Sequence, residues 1–176
     1  MGCSTQKNIY KSRVDNAVNI ERMPYFPELS GDSLFWELTK DKKIIPYLIE
    51  RISDTTLTKA PVLFFGVDYR IGDVCVSAIG KLIPDFRAVD LIESDQRVID
   101  DKGYGVYWEY VRNNLENRKE FQKRVKKWYQ RVKNKLVWVE DNNLYATEDV
   151  VEVSENSKLK KLPAGGFYRI KEKSNR

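Results

Sequence analysis

The chain has 176 residues, a formal charge of +5, 41% hydrophobic residues and no histidine. That length suits one domain with ragged ends and a core that needs no disulfide support. The lack of histidine removes Ser-His-Asp and Cys-His catalysis and the commonest zinc ligand, and no stretch offers the ~20 apolar residues of a membrane span.

Residues 1–28 are polar, with Pro24 and Pro27 near their end. They are expected as a flexible tether leading to a helical domain over 29–138. In SGDSLFWEL, Ser30 or Asp32 can cap a helix that turns Leu34, Phe35 and Leu38 inward. In DKKIIPYLIERISD, Ile45, Leu48, Ile49 and Ile52 recur at helical spacing. Pro46 fits the first turn, where a missing N–H costs nothing. TTLTKAP reads as a loop.

The stretch VDYRIGDVCVSAIGKL follows the apolar run VLFFGV and poses a choice between a phosphate-cradling turn and a core helix. Ile71, Val74, Cys75, Ala78, Ile79, Leu82 and Ile83 trace one broad apolar stripe, which predicts the helix. Asp73 is placed to cap its first turn and Pro84 to end it. The glycines form neither G-x-G-x-x-G nor G-K-[ST], so nucleotide binding is not expected. Cys75 lies on the stripe and reads as a buried, inert thiol.

Residues 86–103 read as a loop with a short strand or turn. Their carboxylates Glu93, Asp95, Asp100 and Asp101 could in principle ligate calcium or form a hydrolytic pair. No calcium-loop signature is present, so solvated loop charge is the plainer reading. YGVYWEYVRNN is helical, with Tyr104, Tyr107, Trp108 and Val111 on one side. Tyr110 is expected to face outward as part of an interaction surface.

Asn117 and Glu120 resemble a capping box that starts a further helix. Phe121, Val125, Trp128 and Val132 follow as a narrow apolar seam. Residues 118–135 hold nine Lys or Arg against one Glu, a local +8 that leaves the rest of the chain at −3. The basicity therefore belongs to one helix. Arg118, Lys123, Lys126, Lys127 and Arg131 are candidates for binding an anionic surface. The plainer reading is a solvated face paired with neighbours such as Glu109 or Glu116. Residues 139–176 read as a β-rich extension packed on the same domain. LVWVE and LYAT form an expected hairpin, and VVEV and FYRI are further short strands.

Four stretches, IIPYLIERISDTTLT, YRIGDVCVSAIGKLIP, ENRKEFQKRVKKWY and PAGGFYR, together resemble a group of uncharacterised bacterial proteins. Many of that group look like exported lipoproteins with a small HEAT-like helical domain, and they usually carry Ala at the position of Cys75. The resemblance implies a mainly α fold, a HEAT-like domain and export to the cell envelope; it implies no catalytic residue and no cofactor. Gly2-Cys3-Ser4 is similar to the end of a lipobox, which would make Cys3 the lipidated first residue of the mature protein. N-myristoylation at Gly2 would want Ser or Thr at position 6, where Gln6 stands.

The function expected from these readings is non-enzymatic: an envelope-tethered binding or scaffolding domain. Its partner would be a protein or an envelope component, its membrane contact a lipid anchor, and nucleic acid is not expected. The alternatives are a carboxylate-dependent hydrolase and a cytoplasmic nucleic-acid binder using the 118–135 helix.

Overall fold

A computed structural model describes residues 3–24, 32–62, 66–112, 114–141 and 165–171. The architecture is mostly helical with two small antiparallel sheets of two strands each. In chain order these elements are α1 (Cys3–Asp15), α2 (Ser33–Glu37), α3 (Ile45–Glu50), β1 (Leu57–Val62), β2 (Val67–Arg70) and α4 (Ile71–Leu82). They continue with α5 (Gln96–Lys102), α6 (Gly105–Val111), α7 (Leu115–Val132), β3 (Leu136–Asp141) and β4 (Gly165–Ile170). Short 3-10 turns join several of them.

The N-terminal segment differs from the expected flexible tether. Residues 3–15 are helical and continue into a 3-10 turn at Asn16–Asn19. Val14, Ala17, Ile20 and Met23 are buried in the same core as the later helices. Tyr10 donates a 2.5 Å hydrogen bond to Asp41, and Asp15 pairs with Arg51. The segment is polar on average, yet four apolar residues at spacings of three suffice to seat it. Average composition concealed that stripe.

The helices at the heart of the core follow the sequence pattern. Asp32 caps α2 by accepting from the Leu34 amide at 2.8 Å, and Phe35 and Leu38 are buried. Pro46 sits in the first turn of α3, whose Ile45, Leu48 and Ile49 are buried together with Ile52. In α4 every residue of the predicted stripe is buried. Burial pushes the Cys75 thiol far above its ordinary value, which removes it as a nucleophile at neutral pH.

Three local expectations are corrected. TTLTKAP contributes β1 rather than a loop: exposure alternates along Leu57–Val62, with Thr58, Ala60 and Val62 turned inward. β2 pairs with it antiparallel, and Gly66 enters β2 with φ of 61°. The expected 86–103 loop contains a short helix, α5, capped by Asp95 accepting from the Arg97 amide at 2.9 Å. Helix α7 starts at Leu115, because Asn114 rather than Asn117 provides the cap. Asn117 instead donates its side chain to the Tyr110 carbonyl at 2.8 Å.

LVWVE forms β3, but it pairs with β4, the predicted FYRI strand, from Leu136↔Ile170 to Asp141↔Gly165. LYAT and VVEV lie outside the described residues. β4 reaches the helical core through Asp85, which accepts from the Ile170 amide at 2.8 Å and from Arg169 at 2.6 Å.

Helix α4 fits closely against the end of α3. A Cβ at Gly72 would stand 2.1 Å from the Ile52 carbonyl oxygen, whereas one at Gly80 would meet nothing within 4 Å. Gly72→Ala must displace backbone and is expected to cost about 3 kcal/mol or more. Gly80→Ala is expected to gain about 0.5–1 kcal/mol from reduced chain entropy. Urea unfolding of the two variants checks both signs; equal effects would contradict the close approach at Gly72.

Candidate functional site

The start of α4 carries the densest polar chemistry among the described residues. Its first amides are already occupied: Ile71 donates to the Thr56 carbonyl at 2.9 Å and Gly72 to the Asp54 carbonyl at 3.1 Å. The helix end is therefore not a free phosphate cradle. Asp73 bends back so that Oδ2 accepts from the Arg70 amide at 3.0 Å. Its other oxygen, Oδ1, accepts from the Tyr107 hydroxyl at 2.8 Å and faces Arg118 Nη1 at 2.9 Å.

This cluster is buried to an unusual degree. Asp73 and Arg118 are each 1% exposed and Tyr107 is 0% exposed. An unpaired charge so placed would be prohibitive, so each ion requires the other. Three elements meet here, with Asp73 on α4, Tyr107 on α6 and Arg118 on α7. Tyr107 also packs its ring edge-on to Phe121 at 5.5 Å. Burial, with the Asp73 charge beside it, raises the Tyr107 hydroxyl well above its ordinary value.

The two ions are satisfied unequally. Asp73 has a partner on each oxygen, from backbone, hydroxyl and guanidinium. Arg118 meets Asp73 as an ion pair, but Nε, Nη1 and Nη2 are all buried and none directs an N–H at a protein acceptor. A buried donor left this way costs about 1–3 kcal/mol.

Beside the pair lies a pocket of about 450 Å³. Leu57 of β1 and Val67 and Asp68 of β2 form its outer rim, with Leu57 54% and Val67 40% exposed. Trp108 of α6, Arg112 just after it and Arg70 line it further in, and the buried Asp73 and Arg118 lie beneath. Arg118 is the one α7 residue in the lining. The lining contains no Ser, Thr, Cys or Lys, and its second carboxylate, Asp68, is on the exposed rim.

The sequence-derived candidates fare differently. Arg118, expected on the basic outer face, is instead the buried partner of Asp73. Lys123, Lys126, Lys127 and Arg131 are exposed on that face. Lys119 pairs with Glu116 and Lys123 with Glu120 at the surface, while Glu109 pairs with Lys102 rather than with α7. Trp128 is half-buried against Phe86, with ring centroids 4.8 Å apart.

Tyr110, expected to face outward, is half-buried against the core. The Arg124 guanidinium covers its ring at 5.7 Å. Three of the four candidate carboxylates are used locally: Glu93 accepts from the Ser94 and Asp95 amides, Asp95 caps α5 and Asp100 accepts from Gln96. Among the described residues no three acidic or thiol side chains gather as a metal site would require. Cys3 opens α1.

Arg118 had a signature in the sequence. It lies three residues before Phe121 and continues the seam 118, 121, 125, 128, 132 inward. The charge run around it belongs to the outer face of the same helix. Compared with protein-family models, curated proteins and solved structures, the chain matches none.

Tyr107→Phe removes one donor from Asp73 and is expected to cost about 1–2 kcal/mol near neutral pH. The folded-state hydroxyl titrates well above its ordinary value of 10.0. The unfolded chain therefore loses this proton first, and the native protein loses stability as pH rises above about 10, by up to about 1.4 kcal/mol per pH unit. Phenylalanine has no such term, so the deficit of the variant should shrink from pH 10 upward. Denaturant unfolding across pH 7–11 tests this, and a constant deficit would contradict it.

Proposed function

We propose that this chain is a non-enzymatic binding domain, tethered to the bacterial cell envelope by lipid on Cys3. The observation that carries the binding role is the pocket floored by Arg118. The Arg118 guanidinium is held in place by Asp73, and the lining holds no Ser, Thr, Cys or Lys. A scaffold that fixes recognition groups without assembling a reactive set supports binding over turnover. A carboxylate-dependent hydrolase has less support, because Asp73 is engaged on both oxygens.

The finer HEAT-like reading has limited support. Helices α3 with α4 and α6 with α7 pack as successive pairs, which is the unit such repeats stack. A β-hairpin separates the first pair, and that is foreign to a simple repeat.

The lipid anchor rests on the Gly2-Cys3-Ser4 sequence and on the position of Cys3 at the start of α1. A helix of 13 residues spans about 20 Å. With lipid on Cys3, the domain would sit close to the bilayer rather than on a long leash. The exposed Lys123, Lys126, Lys127 and Arg131 favour a supporting role at anionic headgroups. Nucleic-acid binding through the same helix is the weaker alternative, since Arg118 is withdrawn from that face.

Mass spectrometry of the native protein from the membrane fraction is expected to find an acylated Cys3. Cys3→Ser should move the protein to the soluble fraction. An unmodified Cys3 on a soluble wild-type protein would overturn the envelope assignment.

A further inference from the structure

We infer that the junction between α7 and the β3–β4 ribbon docks on an anionic lipid bilayer, with its cations on the headgroups and Val137 and Val139 dipping below them. This rests on the reading of the exposed α7 lysines as facing anionic headgroups, and it needs no acyl chain on Cys3. Four features point to this surface.

First, charge along α7 is uneven. Its acidic residues, Glu116 and Glu120, lie in its first two turns and pair with Lys119, Lys123 and Arg124. From Phe121 to Val139 the chain carries seven Lys or Arg and no Asp or Glu. Lys126, Lys127, Arg131, Lys133 and Lys135 are exposed, without an ion-pair partner among the described residues. The helix dipole acts only within the last turn, where Arg131 is the basic residue. The other cations have no such duty.

Second, the ribbon continues the cations. Its ladder runs one step past Leu136↔Ile170, where the Lys171 amide donates to the Lys135 carbonyl at 2.9 Å. Two exposed lysines thus stand opposite each other at the base of the ribbon. Like charges so placed repel, and an anionic headgroup between them removes the cost. Arg169 is already paired with Asp85 at 2.6 Å and adds nothing to the free charge.

Third, the two faces of the ribbon differ. On one, Trp138 meets Tyr168 edge-on at 4.9 Å, and Tyr168 packs on the core. The Trp138 ring lies over Gly166, where a Cβ would come within 2.5 Å of it. Side chains alternate along a strand, so Val137 and Val139 turn to the opposite face, 46% and 36% exposed. Apolar side chains directly beyond a cluster of lysines suit the boundary between headgroups and hydrocarbon.

Fourth, the same geometry favours lipid over nucleic acid. A single strand is gripped by open aromatic rings on which its bases stack. Here Trp128 packs on Phe86, Trp138 on Tyr168, and the Arg169 guanidinium covers Phe167 at 5.1 Å. By itself such a contact is weak and reversible. Together with an anchor it fixes which side of the domain meets the bilayer.

The experiment is vesicle co-sedimentation of the full chain carrying Cys3→Ser, so that no acyl chain contributes. Vesicles of phosphatidylglycerol mixed with phosphatidylcholine are compared with phosphatidylcholine alone at about 0.1 M salt. The mixed vesicles should bind the protein about tenfold or more tightly than the neutral ones. Replacing Arg131, Lys133, Lys135 and Lys171 with Gln should remove that difference. Val137→Thr with Val139→Thr keeps β-branched residues in the strand and should weaken binding about threefold or more. Val137→Trp should strengthen it by a similar factor, a gain rather than a loss.

Equal binding to both vesicles, or binding to neither, would overturn this surface and the headgroup reading together. Binding lost with the four cations but indifferent to the valine changes would overturn docking by the ribbon and leave the headgroup reading standing. Tighter binding to a single-stranded oligonucleotide at the same salt, lost with the same four cations, would overturn the lipid as partner.

Discussion

The buried ion pair between Asp73 and Arg118 is the constraint on which the structure turns. A carboxylate and a guanidinium at 1% exposure are tolerable only together. Their contact therefore fixes where α7 lies relative to the start of α4. Tyr107, donating to the same carboxylate, fixes α6 in turn. Apolar burial supplies most of the attraction among these helices, but it is non-directional. The polar cluster sets their register. It also occupies Asp73 as a cap, so one side chain both begins a helix and locates two others.

The same arrangement creates the pocket. The β1–β2 hairpin leads directly into α4, because Arg70 ends β2 and Ile71 begins the helix. Its outer edge thus stands over the Asp73 carboxylate, while α6 closes the other side. Gly72 allows this entry, since any side chain there would collide with the α3 terminus. The pocket is a consequence of how α4 starts, and its floor is polar because the pair that aligns the helices lies beneath it.

Much of the helical core was legible in the sequence. The steps of three and one in α4, the proline-started α3 and the Phe121–Val125 seam each state a buried face. What escaped were features whose signal is tertiary. β1 alternates properly, but Thr58 and Lys59 give it a loop-like composition. Residues 3–24 are polar overall and become seated through a few apolar contacts. β3 finds its partner across 23 intervening residues rather than in the next short run. The site was half legible. Asp73 stands out as a cap and Tyr107 as core, yet Arg118 is hidden among its charged neighbours. Charge density describes the exposed face of an amphipathic helix, whereas one inward arginine is visible only by following the apolar seam through it.

The most direct test of this account is a double-mutant cycle on Asp73→Asn and Arg118→Met by urea unfolding. Each single change should cost about 3–5 kcal/mol, because it strands the remaining group in the core. The double variant should lose at least ~2 kcal/mol less than the two single losses together. Losses that add to within about 0.5 kcal/mol would show that the two side chains act independently, and the central role given to their contact would be wrong.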